Sequence, residues 1–214
     1  MNTSGARADI LRAVRRAIDA PAGGRAADYE SVERKYIAAG TLDAGPRLAL
    51  FLDRLVHYHV GVHETGPSGV AATMAKACAA RGKRRLLVPD GFPVDVIPQT
   101  VEARPDTGLS YEELDRCDGV LTVATLAIAL TGTIVLTHGP GEGRRAATLI
   151  PDYHLCVVRA EQIVETVPEA FRRLAALDPA LVTTISGPSA TADIEMIRVR
   201  GVHGPRTLDV ILVG

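Results

Sequence analysis

From residue 58 to its end, the chain alternates short apolar runs with segments of helical spacing. Runs rich in Val, Ile and Leu lie at 58–62, 85–90, 119–124, 132–137, 154–158 and 207–213. The last of them, TLDVILV, is nearly continuous, which is typical of a strand buried on both faces. Because strands that alternate with helices form parallel sheets covered on both sides, we predict an α/β fold with an open, mostly parallel sheet flanked by helices.

Helical spacing dominates the first 56 residues. Apolar residues recur at this spacing from Ile10 to Ile18 and again from Leu48 to Val56, and a further helix is predicted around 29–39. We therefore predict two parts, an N-terminal helical extension over 1–56 and an α/β domain over 57–214.

Charge and cysteine content argue against several classes of protein. The 214 residues include 24 basic and 25 acidic side chains, a net charge of −1, unlike the strongly positive domains that bind nucleic acids. The three cysteines, Cys78, Cys117 and Cys156, lie too far apart in sequence for a disulfide framework, a zinc cage or an iron–sulfur ligand set. We therefore expect reduced thiols and no metal or cofactor on this chain.

One uncharged stretch, residues 119–141, is long enough to raise the question of a membrane helix. The Thr-Gly-Thr at 131–133 interrupts it, and its many β-branched residues favour two buried strands instead. The N-terminus also lacks the basic-then-apolar order of a signal peptide. We therefore expect a cytoplasmic protein that binds neither nucleic acid nor membrane.

The segment TTISGPSATADIEMIRVRGVHGP, residues 183–205, concentrates polar groups just after a predicted strand. Ligands of such sheets bind where strands end and loops begin. A turn at Gly187 can point successive N–H groups at an anion, and Ser186, Ser189 and Thr191 can add hydroxyl donors. The alternative is a turn whose side chains only satisfy the local backbone.

Two acids and a histidine in the same segment are candidate catalytic residues. Asp193 and Glu195 would share a face of a strand and could hold a cation or transfer a proton, or one of them could simply pair with an arginine. His203, followed by Gly204, lies in a GVHGP turn. There it could present a ring nitrogen to a ligand or serve only as a hydrogen-bonded turn residue.

The stretch ALTGTIVL has a similar arrangement, in which Thr131, Gly132 and Thr133 open a strand and Gly132 permits close approach of a ligand. The following loop HGPGEGRR, residues 138–145, lacks the ending of a P-loop and the spacing of a dinucleotide fingerprint. It is a weak nucleotide signature and is equally consistent with a mobile loop over the site.

Three histidines at even separations raise the question of a metal site. On one extended strand, His57, His59 and His63 would share a face and could bind a metal. We assign none, because His57 is predicted to belong to the preceding helix.

The motifs GTIVL, TTISGPSATADIE and GVHGP, followed by a final apolar strand, resemble the lactate utilization protein C family, also called the LUD domain, in order and spacing. The resemblance is close over the C-terminal half, so that 57–214 is expected to be LUD-like, and loose over the helical N-terminal part. The chain departs from the family at Leu130, where an acid often precedes the Thr-Gly-Thr.

This resemblance implies a fold similar to the CoA-transferase and ribose-phosphate-isomerase superfamily. It also implies work alongside two iron–sulfur proteins that oxidise L-lactate to pyruvate, with the clusters on those partners. The chain would then be a non-redox subunit that binds a small anionic ligand at the turns 131–133, 186–191 and 203–204. Alternatives are a stand-alone enzyme acting on a CoA ester or phosphorylated metabolite, and a purely structural adaptor.

Overall fold

The structure is a computed structural model that describes residues 3–18, 31–33, 35–191, 199–200 and 204–214. The chain divides into two compact units, 1–36 and 37–214. The predicted boundary between residues 56 and 57 stays a prediction. In the first unit, helix α1 (Thr3–Ile18) carries Arg15 and Arg16 in its last turn, where cations interact favourably with the helix dipole.

The helix predicted around 29–39 is wrong for residues 35–39, which lie outside helices. Ile37 is 69 % exposed, so a helix here would gain little from burying its apolar side chain. Just beyond, the chain is held by side chains at and before the beginning of the last helix: the Gly40 N–H donates to Glu169 of that helix, and the Leu42 N–H donates to Glu165, which precedes it.

The second unit contains four further α-helices and all of the described strands. The helices are α2 (Ala44–His57), α3 (Val70–Arg81), α4 (Tyr111–Asp115) and α5 (Val167–Leu177). The strands are β1 (Gly61–Thr65), β2 (Arg85–Val88), β3 (Glu102–Pro105), β4 (Gly119–Val123), β5 (Leu126–Ile128), β6 (Thr133–Leu136), β7 (Tyr153–Arg159), β8 (Ile163–Val164), β9 (Thr183–Ile185), β10 (Ala190–Thr191), β11 (Val199–Arg200) and β12 (Thr207–Val213).

Six of these strands form a wholly parallel sheet in the order β1-β12-β7-β4-β2-β3. The apolar run at the C-terminus is β12, which lies between β1 and β7 in register Val210 to Cys156. Helices flank this sheet, so the predicted α/β architecture is confirmed. Among the described residues, no helix is long and apolar enough to cross a membrane.

The uncharged stretch 119–141 forms three strands rather than the two predicted, because β5 and β6 are separate strands. Strand β4 belongs to the parallel sheet, whereas β5 and β6 belong to a second sheet of four strands, in the order β8-β5-β6-β9. Strand β6 pairs antiparallel with both β5 and β9, and its last residue, Leu136, lies opposite Thr183. This register sets the loop after β6 beside the beginning of β9.

The core between the two sheets is built from aliphatic side chains of the strands, together with Phe51 and Leu55 of helix α2. Phe51 and Leu55 of α2 are fully buried against Ile134 of β6 and Val210 of β12. Burying one such side chain contributes about 2 kcal/mol, so this layer fixes the second sheet and its polar turns against the first.

Candidate anion-binding site

A cavity of about 240 Å³, here called the β9 pocket, lies where β9 ends and β7 and β12 begin. The turn after β9 forms one wall, with Ser186 and Gly187, and Gly204 before β12 and Leu208 within it form another. The predicted turns at 186–191 and at 204 thus meet in one place, although the polar turn follows a strand of the smaller sheet.

Backbone geometry holds the turn after β9 in position. Gly187 has a φ of 84°, a conformation that favours glycine, and a Cβ there would lie 2.8 Å from the Cβ of Tyr58. The Ser189 N–H donates to the Pro205 carbonyl at 2.9 Å, which ties the turn to the segment before β12. The turn is therefore a fixed wall of the pocket.

The Thr-Gly-Thr turn, residues 131–133, does not line the pocket but contacts one of its lining residues, Ser186. Gly132 has a φ of 59°, and a Cβ there would lie 2.6 Å from the Cβ of Arg54, so the close approach involves helix α2. The Thr133 hydroxyl lies 2.7 Å from that of Thr131 and 2.8 Å from that of Ser186. A short chain of hydroxyl groups thus joins this turn to the pocket wall.

Two adjacent arginines in the loop 138–145 have different roles. Arg144 forms an ion pair with Asp106, with Nε 2.9 Å from Oδ2, and donates to the Leu109 carbonyl. Burial alone would raise the pKa of Asp106, but the hydrogen bonds and charge of Arg144 hold it below its usual range. Arg145 lines the β9 pocket, and none of the ion pairs among the described residues includes it.

His154, the second residue of β7, is buried in the pocket lining. Its Nε2 lies 2.7 Å from the Thr122 hydroxyl. Burial, reinforced by the charge of Arg145, lowers the pKa of His154 to about 4. The ring is therefore neutral at pH 7, and Arg145 is the cation that the described residues supply to this pocket.

His138 lies two residues beyond β6 and contacts the first residue of β9. Its Nδ1 is 2.6 Å from the Gly143 carbonyl oxygen, and its Nε2 is 2.7 Å from the Thr183 hydroxyl, which lines the pocket. His138 also lines a neighbouring cavity of about 480 Å³, to which Arg145 belongs as well. The two cavities therefore share a wall.

The predicted catalytic residues Asp193, Glu195 and His203 lie outside the described residues. Thr191 is described only as part of β10, which pairs antiparallel with β11. Sequence reasoning missed the pocket-lining residues Arg145, His154 and Thr183. The pair of arginines after a glycine-rich loop was the available signal, but their separate roles are not visible in the sequence.

Histidine and cysteine positions bear on metal binding. His57 ends helix α2, His59 has a left-handed φ of 59° and His63 belongs to β1, so the three do not share one strand. No group of three or more His, Cys, Asp or Glu within the described ranges is placed to hold a metal ion. Burial raises the pKa of Cys78 to about 11 and that of Cys156 to about 12.

The sequence matches a family model and is similar to several known proteins. The family model described as the LUD domain matches residues 96–213, a range that contains every residue lining the β9 pocket. The chain is 40 % identical over 216 residues to lactate utilization protein C of Deinococcus radiodurans, covering 100 % of this chain and 98 % of that protein. It is 34 % identical over 113 residues to lactate utilization protein C of Shouchella clausii, covering 50 % of this chain and 49 % of that one.

A solved structure is similar as well. The crystal structure of a DUF162 family protein from Deinococcus radiodurans, at 1.70 Å resolution, has a TM-score of 0.72 and 40 % sequence identity. The alignment covers 81 % of this chain and 100 % of that chain. The likeness therefore extends over most of the molecule.

Proposed function

Because the chain belongs to the LUD-domain family that includes the lactate utilization C proteins, we propose that it serves lactate utilization by binding a small carboxylate in the β9 pocket. Family membership supports the role in lactate utilization. The binding role rests on the geometry of the pocket, and above all on Arg145.

The observation that carries this proposal is a guanidinium lining a small polar cavity. Arg145 forms no ion pair with a described residue, and its hydrogen bond to the Thr148 hydroxyl is long at 3.4 Å. Guanidinium groups bind carboxylates through two parallel hydrogen bonds. The cavity volume of about 240 Å³ lies below the range typical of drug-sized ligands, which suits an acid of a few carbon atoms.

We assign the redox chemistry to iron–sulfur clusters on partner proteins, and to this chain a non-redox subunit role. A thiolate is the form of cysteine that ligates iron, and burial disfavours the thiolate at Cys78 and Cys156. A tagged chain purified from its native cells grown on lactate should therefore bring two cysteine-rich iron–sulfur proteins with it. Isolation of the chain alone would contradict this role.

Calorimetric titration of the purified chain with L-lactate tests the binding role. Arg145→Gln should weaken binding at least about tenfold, because a charge-assisted pair is worth about 1.5–3 kcal/mol. The matched control is Arg173→Gln, which removes an exposed arginine on α5 and should leave binding unchanged. Equal affinity of the Arg145 variant and the wild type would contradict the proposal.

A second candidate function is a stand-alone enzyme that acts on a CoA ester or phosphorylated metabolite. The neighbouring cavity of about 480 Å³ favours it, since Arg145 borders both spaces and a larger anion could extend across them. This candidate requires turnover by the isolated chain with no partner present. If such metabolites neither react nor raise the melting temperature, the candidate is excluded.

A further inference from the structure

We infer that Thr183, oriented by His138, makes the β9 pocket select a 2-hydroxy carboxylate over the corresponding 2-keto carboxylate. This inference rests on the proposed function, since it assumes that the pocket binds a small carboxylate through Arg145.

The hydrogen bonds of His138 define its tautomer. A carbonyl oxygen only accepts hydrogen bonds, so the ring nitrogen that lies 2.6 Å from the Gly143 oxygen, Nδ1, carries the proton. In a neutral imidazole the other nitrogen is then an acceptor. The tautomer is thus assigned from the hydrogen-bond network, and Nε2 accepts.

The direction of the Thr183 hydroxyl follows from this tautomer. Its oxygen lies 2.7 Å from His138 Nε2, so its one proton is directed at the imidazole. The lone pairs that remain on Oγ1 can only accept a hydrogen bond, and Thr183 lines the pocket. The pocket therefore offers a hydrogen-bond acceptor. A ligand hydroxyl group can donate to it, whereas a keto oxygen, itself only an acceptor, would be repelled.

The loop after β6 keeps His138 in this orientation. His138 has a φ of 60°, a left-handed conformation that is uncommon outside glycine and persists only where the surroundings hold it. Beside it, the buried Glu142 accepts hydrogen bonds from the Thr137 N–H and from the Thr125 hydroxyl, each at 2.5 Å. The acceptor at Thr183 is therefore built into the fold.

A 2-hydroxy carboxylate matches two of the polar groups that line this cavity, those of Arg145 and Thr183. Its carboxylate suits the guanidinium of Arg145, while the hydroxyl on the adjacent carbon can donate to Thr183. A 2-keto carboxylate keeps the first interaction and loses the second. One hydrogen bond to a neutral group is worth about 1 kcal/mol, and an acceptor facing a keto oxygen adds to the difference, so we expect about tenfold discrimination.

The test is calorimetric titration of the full chain with L-lactate and, separately, with pyruvate. The wild type should bind L-lactate about tenfold more tightly. Thr183→Val should lower the affinity for L-lactate about tenfold and leave that for pyruvate within about twofold, whereas Thr183→Ser should retain the preference. Valine is favoured in strands, so the variant is expected to fold, and circular dichroism checks this.

His138→Asn separates positioning from direct contact. Asparagine tolerates the left-handed conformation, but its side chain lacks the ring nitrogen that accepts from Thr183. The preference for L-lactate should shrink in this variant while Arg145-dependent binding persists. A preference that is unchanged in both the Val and Asn variants would overturn the inference.

The remaining outcomes separate this inference from the proposed function. If both acids bind equally to the wild type and Arg145→Gln weakens both, the carboxylate pocket stands and the selectivity of Thr183 is refuted. If neither acid binds to folded protein, the proposed function fails and the inference fails with it.

Discussion

Arg81 and Asp209, the third residue of strand β12, form a two-point ion pair, with Nε 3.1 Å from Oδ2 and Nη2 2.7 Å from Oδ1. Asp209 is 1 % exposed and also accepts a hydrogen bond from the Tyr153 hydroxyl at 3.0 Å. A buried carboxylate in the middle of an apolar strand is tolerated because three donors satisfy it.

Removing the Arg81 guanidinium should therefore destabilise the folded protein far more than removing an ordinary surface charge. We expect Arg81→Met to lower the free energy of unfolding by about 2–3 kcal/mol, somewhat less than for a fully buried pair because Arg81 is partly exposed. Urea unfolding measures this value. The control is Arg85→Met, whose exposed pair with Glu102 should be worth less than about 1 kcal/mol. Equal losses in the two variants would contradict the assignment.

Gly61 is required beside this carboxylate. A Cβ at Gly61 would overlap Asp209 Oδ1 and approach Arg81 Nη2, and Asp209 lies opposite Gly61 in the pairing of β1 with β12. Gly61→Ala should therefore lower the free energy of unfolding by about 1–3 kcal/mol.

Gly45 provides the matched control for this substitution, again measured by urea unfolding. It lies in the first turn of α2, and a Cβ there would meet nothing within 4 Å. Gly45→Ala should be neutral or should stabilise by up to about 1 kcal/mol through helix propensity. The steric argument fails if the two alanine variants have the same stability.

His154 should make the stability of the protein depend on pH. Its folded pKa of about 4 lies below the ordinary value of a free histidine, so between these values the unfolded chain binds more protons than the folded one. Stability from this group is fully present above about pH 6.5 and is lost as the pH falls toward about 4, by at most about 3 kcal/mol.

Urea unfolding at pH 7, 5.5 and 4.5 measures this dependence. In His154→Gln the loss between pH 7 and pH 4.5 should be smaller than in the wild type, because no buried imidazole must be charged. His57→Gln, at an exposed position at the end of α2, should leave the pH profile unchanged. A wild-type profile that persists in the His154 variant would contradict the prediction.

Glu142 should hold the loop that positions His138. Gln at this position replaces one acceptor oxygen by a donor and removes the charge, so the Thr137 N–H or the Thr125 hydroxyl loses its partner. We expect Glu142→Gln to lower the free energy of unfolding by about 1–3 kcal/mol and to speed hydrogen exchange at the Thr137 amide. The exposed Glu161→Gln is the control, and unchanged exchange at Thr137 would refute this role.

Periodic features of the sequence were sufficient to predict the parallel sheet. The run TLDVILV predicts a strand buried on both faces, and β12 is such a strand, between β1 and β7. Turn chemistry likewise predicted that Ser186, Gly187 and Gly204 belong together, and all three line the β9 pocket. The prediction of a helix around 29–39 was wrong over 35–39, because apolar residues at helical spacing stabilise a helix only where a neighbouring surface buries them.

The roles of individual polar residues depended on tertiary contacts. Arg144 and Arg145 are neighbours of the same type, and only the position of Asp106 makes the first an ion-pair partner and leaves the second to the pocket. His138 meets Thr183 because β6 and β9 pair in one particular register. Strand propensity and turn chemistry are properties of a few consecutive residues, so the sequence determined them by itself. Register and packing bring together residues far apart in the chain, so only the folded structure decided which hydroxyl, imidazole and guanidinium share one pocket.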